Sequence, residues 1–277
     1  MRVLTVENKI YYSLRIAAAM CFIGHGIFGI LTKPVWCNYF GVFGIDHAMS
    51  YNLMPIVGTI DILCGTIILL YPLRAIFVWL VVWGTITALL RPLSGEPFAE
   101  FIERAGNFGA PLALLILTSN IRKTKTLLSP VNASFKLSER NLQRVIYCLR
   151  IMVFLIIAGH GWLNLSGKKD LLDQYKFLGF ANPAETAQII GSSEIIAAFI
   201  VLIRPMRHFI LLLFVWKVTS ELLYPHYELF EWIERGGSYG CIAALWFALH
   251  VPGAIKKSIT LKPVKRYLIT KSKAYTK

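Results

Sequence analysis

Four ionisable residues, His160, Glu194, Lys217 and Glu221, stand inside long apolar runs of this sequence. A carboxylate facing hydrocarbon costs at least ~2.5 kcal/mol, so each must be paired, protonated or turned toward water. Lys217 and Glu221 are four residues apart and therefore share one helix face. His160 lies between Gly159 and Gly161, His25 between Gly24 and Gly26, and each sits about eleven residues into its run, roughly mid-membrane at a rise of 1.5 Å per residue. The flanking glycines let another helix or a ligand approach the imidazole closely. Asp61 is the first-half counterpart of Glu194. An imidazole with a carboxylate in a low-dielectric setting can pass a proton or can simply lock two helices by a hydrogen bond. The sequence leaves both roles open.

His160, Glu194, Glu221 and Lys217 are therefore the expected catalytic, proton-handling group. His25, Asp61, Glu234 and Arg235 are the expected cofactor contacts. Glu103 and Glu234 precede glycine-rich openings of apolar runs, where acids favour the positive end of a helix dipole. Glu231 and Glu234 also share a face, which would suit a lid over a cavity. Two related histidines could in principle hold a haem between them, but haem bundles repeat histidine at helical spacing, so haem is disfavoured. Cys21, Cys37, Cys64, Cys148 and Cys241 form no CxxC pair and no metal-ligand spacing, which argues against a dithiol enzyme and a metal site.

The elements that must position these groups are membrane helices. The chain has 277 residues, 56% of them hydrophobic and only 16% charged, too apolar for a water-facing surface throughout. Eight runs of spanning length are expected near residues 14 to 31, 53 to 71, 74 to 90, 105 to 120, 146 to 165, 187 to 203, 208 to 224 and 237 to 255. The first is read as a retained span rather than a signal peptide. Short interfacial helices are expected over Pro97 to Arg104 and Pro225 to Arg235.

The formal net charge of +14 is concentrated between spans. Arg122, Lys123, Lys125, Lys136, Arg140 and Arg144 form a central group, and Lys256, Lys257, Lys262, Lys265, Arg266, Lys271, Lys273 and Lys277 a tail. With both termini cytoplasmic, the inner loops are strongly basic and the outer loops acidic, as the positive-inside rule requires. The expected partner of the basic segments is the anionic headgroup layer at the cytoplasmic face of a plasma membrane, with other membrane subunits also possible in principle. No nucleic-acid module accompanies the charge.

Landmarks recur at a period of about 133 residues. Leu14-Arg15-Ile16 with Gly24-His25-Gly26 returns as Leu149-Arg150-Ile151 with Gly159-His160-Gly161. Gly58 and Asp61 return as Gly191 and Glu194, Trp83 as Trp216, and Glu100 to Gly109 as Glu231 to Gly240. An even number of spans per half makes the repeat parallel, with its pseudo-axis along the membrane normal. The expected fold is thus all-α and integral to the membrane, two tandem four-helix bundles. Residues 1–120 form the first, 121–145 a basic linker, 146–255 the second and 256–277 a basic tail. Lys217 and Glu221 align with Gly84 and Ala88, so the polar cavity is expected in the second half and a structural role in the first.

The second half resembles the DoxX/DoxD family of small four-helix membrane proteins. The resemblance rests on Leu149-Arg150, His160-Gly161, Leu178-Gly179-Phe180, Glu194-Ile195-Ile196-Ala197-Ala198, the Arg204 to Arg207 segment and Gly236-Gly237. Gly44-Ile45 and Asp61 extend it into residues 10 to 120, with Asp61 in place of the family's glutamate. It implies a membrane bundle, in some relatives a subunit of quinone-linked sulfur oxidoreductases. The leading expectation is accordingly a DoxX-like subunit holding a quinone or other small lipophilic ligand in its second half. A small-solute or proton-coupled transporter is the alternative, although no unwound-helix signature is visible, and a membrane scaffold or assembly factor is the third.

Overall fold

The computed structural model describes residues 4–118, 127–131, 138–223 and 229–251. Among these residues every regular element is helical, in the order α1 (Val6–Ile30), α2 (Trp36–Gly41), α3 (His47–Leu70), α4 (Arg74–Leu93), α5 (Phe98–Glu103), α6 (Ala105–Leu117), α7 (Glu139–Leu165), α8 (Lys169–Phe177), α9 (Pro183–Ile203), α10 (Arg207–Leu222), α11 (Leu229–Glu234) and α12 (Gly236–Ala248). The basic residues Arg122, Lys123, Lys125 and Lys136, the C-terminal tail and residues 224–228 lie outside the described residues.

The long helices start where side chains satisfy their free amides. Thr5 accepts from the Asn8 amide, Asp46 from Met49 at 2.8 Å, Ser138 from Asn141, and Asn182 from Glu185 with Pro183 in the first turn. The far ends of α3 and α9 are closed from the neighbouring helix. The Arg15 guanidinium donates to the carbonyls of Ile68, at 2.7 Å, and of Leu69. Arg150 does the same for Leu202 and for Ile203, the latter at 3.2 Å. A cation there meets both the unpaired carbonyls and the negative end of the helix dipole.

Five helices, α1, α3, α4, α7 and α9, are long and apolar enough to cross a membrane. The other runs give shorter helices: α10 has 16 residues, and α6 and α12 have 13 each. At Arg104 and again at Arg235 the helix is interrupted, so the short α5 precedes α6 and α11 precedes α12. Of the two expected short helices, α5 buries Ala99, Glu100 and Glu103 against the bundle, whereas α11 has no buried residue. The expected pairs of a short helix followed at once by a span are α5 with α6 and α11 with α12.

Small residues set the packing. Gly26 and Gly29 of α1 meet Gly58 of α3, where an added Cβ on Gly29 would come within 2.7 Å of the Gly58 Cα. Gly161 and Gly191 make the equivalent crossing of α7 on α9. Gly106 and Gly237 cross α6 on α12 backbone to backbone. The short helices go to the opposite half: Glu103 of α5 rests on Gly159 of α7, and Glu234 of α11 rests on Gly24 of α1. One apolar core runs through both halves, with Leu14, Phe22, Leu80 and Leu114 continuous with Leu149, Ile156, Ile210 and Leu245. The 121–145 segment therefore divides the sequence but not the core.

Candidate functional site

In the second half α7 and α9 bring His160 against Glu194, with Nδ1 2.8 Å from both carboxylate oxygens. The network is closed on every side. Trp216 of α10 donates its indole N–H to Glu194 Oε1 at 2.8 Å, Asn164 donates to Oε2 at 3.2 Å, and the Tyr175 hydroxyl donates to Asn164 Oδ1 at 2.6 Å. Asn164 follows His160 by one helical turn, so it shares the face.

Beside this network lies a buried ionic cluster. Lys217 Nζ is 2.5 Å from Glu221 Oε1 and 3.4 Å from Glu103 Oε1. Arg235 Nη1 is 2.7 Å from Glu103 Oε1, and Arg235 Nε is 3.8 Å from Glu221 Oε2. Arg104 adds a third cation to Glu103 at 3.0 Å. Burial drives the Glu103 carboxyl up, but Arg235, Lys217 and Arg104 together outweigh it and hold it well below the ordinary range. Lys217 is only 1% exposed and Glu221 8%, a self-neutralising set filling its own space. Its role is tertiary, tying α5, α10 and the α11–α12 corner together.

The same framework in the first half is open. His25 Nδ1 lies 2.7 Å from Asp61 Oδ2, with the Trp36 ring against the imidazole at 4.5 Å between centroids. Asp61 is one methylene shorter than Glu194, and its Oδ1 and the Trp83 indole N–H are buried without a hydrogen-bond partner among the described residues, where Glu194 and Trp216 bond each other. In place of Lys217 and Glu221 stand Gly84 and Ala88. A cavity of about 680 Å³ opens at this place. Its wall carries His25, Trp36, Tyr39, Trp83 and Ala88, and its polar rim carries Lys33, Arg91, Glu100, Lys168, Glu234 and Arg235. The Phe22 ring, 3.3 Å from where a Gly84 Cβ would be, takes the room that the lysine stem takes in the other half.

Glu234 differs sharply from its counterpart Glu103. Glu103 is held by three cations, but among the described residues no cation ion-pairs with Glu234. Arg104, the residue equivalent to Arg235, turns instead to Glu100 and Glu103. Burial raises the Glu234 carboxyl, and His25, Arg235 and Arg104 at longer range lower it, with a net fall below the usual value. It is thus a charged carboxylate on a cavity wall. His25 uses Nδ1 on Asp61, which leaves Nε2 as the ring nitrogen available to the cavity.

The rim itself is a chain of ion pairs joining the halves. Lys168 Nζ lies 2.7 Å from Glu100 Oε1, Arg91 lies 2.9 Å from Glu96, and Glu96 accepts from the Tyr39 hydroxyl at 2.6 Å. Lys33 reaches Glu231 at 3.4 Å. Burial pushes Glu100 up, but Arg104 and Lys168 bring it down to about 2.

The structure therefore brings His160 to Glu194, Lys217 to Glu221 and Arg235, and His25 to Asp61 with Glu234 nearby. It does not place the described cavity in the second half: His25, Glu234 and Arg235 line it, and His160, Glu194, Lys217 and Glu221 do not. Glu103 and Glu234 do not act as simple helix caps, since neither α6 nor α12 has a side-chain cap bond. Sequence reasoning missed Asn164, Tyr175 and the Trp216 bond, although the i, i+4 spacing of His160 and Asn164 was a usable signal. Among the described residues no group of three or more His, Cys, Asp or Glu side chains is placed to hold a metal ion. Set beside protein-family models, curated proteins and solved structures, the chain matches none of them.

Proposed function

We propose that this chain is an eight-span, DoxX-like integral membrane protein of the plasma membrane. On this reading it is a parallel tandem repeat with both termini cytoplasmic, and it binds a small lipophilic ligand in the cavity of its first half. The topology is supported by the loop charges and by the paired glycine, arginine and histidine contacts of α1 with α3 and of α7 with α9. In that orientation the cavity opens in the outer leaflet. The linker and tail would rest on anionic headgroups, and the rim would be available to a second membrane subunit.

The observation that carries the ligand reading is the cavity itself: about 680 Å³, walled by aromatic and aliphatic side chains, with His25, held from behind by Asp61, and Glu234, which has no ion pair among the described residues, both on its lining. Sites for small organic ligands have this size and this ratio of apolar wall to placed polar groups. With Nδ1 bonded to Asp61, His25 presents Nε2 to the ligand's polar end, as donor when the ring is protonated and as acceptor when it is neutral. A quinol is the ligand of this class that the DoxX resemblance implies, and the residues present can meet its hydroxyl. The second-half group His160, Glu194, Lys217 and Glu221 then acts as the rigid support.

The test is mass spectrometry of small molecules retained by gently purified protein, compared with Ala88→Phe. Ala88 is on the cavity wall, so the ring should intrude into the cavity and weaken retention of the compound. Equal retention by both proteins would refute the site. A transporter is the second reading, favoured by the helix breaks at Arg104 and Arg235, because interrupted helices often line transport sites. Flux of the retained compound into sealed vesicles separates the two.

A further inference from the structure

The two halves place the same framework around different contents, and this comparison defines what the cavity lacks. In the second half the Lys217 ammonium lies between two carboxylates, Glu221 at 2.5 Å and Glu103 at 3.4 Å. In the first half Gly84 supplies no ammonium and Ala88 no carboxylate, and Glu234 faces the cavity without an ion pair. Phe22 fills the place of the lysine stem near Gly84 but brings no charge to Glu234. Glu234 is partly buried and its cations stand at longer range than those of Glu103, so a ligand that brings an ammonium into contact with it gains a charge-assisted hydrogen bond.

We infer that the cavity ligand carries an ammonium group, which takes up at Glu234 the position that Lys217 takes up at Glu103. This rests on the ligand reading of the cavity and narrows it. An ammonium has three donors. The Glu234 carboxylate can accept one or two of them, and the polar rim of the cavity takes the rest. The aromatic wall of Trp36, Tyr39 and Trp83 suits a cation as well as the apolar part of an amphiphile. Lys33, Arg91 and Lys168 on the rim would meet an anionic group next to the ammonium. The shared chemistry is a primary amine on an apolar body, whether a free alkylamine or the headgroup of an ethanolamine phospholipid.

The experiment uses the full chain in phosphatidylcholine nanodiscs. Binding of octylamine and of its neutral isostere octanol is read by tryptophan fluorescence, since Trp36 and Trp83 line the cavity. A parallel sample in discs containing phosphatidylethanolamine is read by native mass spectrometry for retained lipid. Octylamine should bind at least tenfold more tightly than octanol, and Glu234→Gln should remove that preference while leaving octanol binding in place. Retention of phosphatidylethanolamine over phosphatidylcholine assigns the source as lipid, and its absence with tight octylamine binding assigns a free amine. Equal binding of amine and alcohol, or tight binding of a quinol that Glu234→Gln does not affect, overturns the ammonium assignment and leaves the cavity reading standing. No binding of any probe, with Ala88→Phe indistinguishable from the parent, overturns both. Should Glu234→Gln fail to fold, Phe22→Ile with Gly84→Lys supplies the missing ammonium internally. It should abolish octylamine binding and raise the melting temperature, and unchanged octylamine binding there counts against the inference.

Discussion

Replacing Lys217 with methionine removes a cation that is 1% exposed while nearly preserving volume. Glu103 would still have Arg235 at 2.7 Å and Arg104 at 3.0 Å. Glu221 would have only Arg235 Nε at 3.8 Å, because its 2.5 Å partner is gone. The loss therefore falls on Glu221, a carboxylate that is 8% exposed. Removing one partner of a buried pair costs about 3 to 5 kcal/mol. For a chain of this size that corresponds to a melting temperature lower by roughly 6 to 20 °C. Removing both partners, Lys217→Met with Glu221→Leu, leaves no orphaned charge between them and should cost less than the single change, since apolar replacement of a buried pair is often neutral. Tryptophan fluorescence during thermal unfolding of detergent-purified protein measures both. A single variant that melts within about 2 °C of the parent, or a double variant worse than the single, would refute the view that this cluster is a structural tie.

Gly24→Ala places a Cβ 2.5 Å from the Glu234 amide nitrogen, so α11 must move off α1. Overpacking of this kind costs typically about 1 to 3 kcal/mol and should also weaken ligand retention, whereas Gly41→Ala, with nothing near its Cβ, should do neither. Arg150→Met should destabilise by up to about 2 kcal/mol by uncovering the Leu202 and Ile203 carbonyls, with amide exchange rising first at the end of α9. Glu100 is lowered from 4.5 to about 2, so its contribution to stability is fully present above pH 4.5 and is lost as pH falls from there toward 2. Lys168→Met should raise the midpoint of acid unfolding, and an unchanged midpoint would show that the Lys168 pair is not part of that contribution.

Contacts within one helix or between repeat-related positions were legible from sequence. The i, i+4 spacing of Lys217 and Glu221 became an ion pair, and the matched landmarks gave His25 with Asp61 and His160 with Glu194. Contacts that depend on which helix stands opposite were not. Glu103 and Arg235 are separated by 132 residues, and nothing in their spacing shows that α5 crosses to α7 and α11 to α1. The cavity described above, walled mainly by first-half residues with Ser166, Lys168, Glu234 and Arg235 from the second, was not legible for a related reason. Charged residues are conspicuous in a sequence, but Lys217 and Glu221 fill space and satisfy one another, whereas a cavity is made by what Gly84 and Ala88 leave out. The starts of α6 and α12 were legible to within a residue, and the difference lies at their far ends, which stop at Leu117 and Ala248 although the apolar run continues.

The crossing of α5 and α11 has a consequence for biosynthesis. His25 emerges from the ribosome about two hundred residues before Glu234, and at about 5 to 20 residues per second the interval is on the order of 10 to 40 s. Through that time the seat on Gly24 is bare, and the earliest-made helix exposes a glycine strip and a polar pair to lipid or to any passing helix. A late-made helix, α11, is thus what finishes the first pocket, and a chain stalled before residue 229 would be unable to complete it.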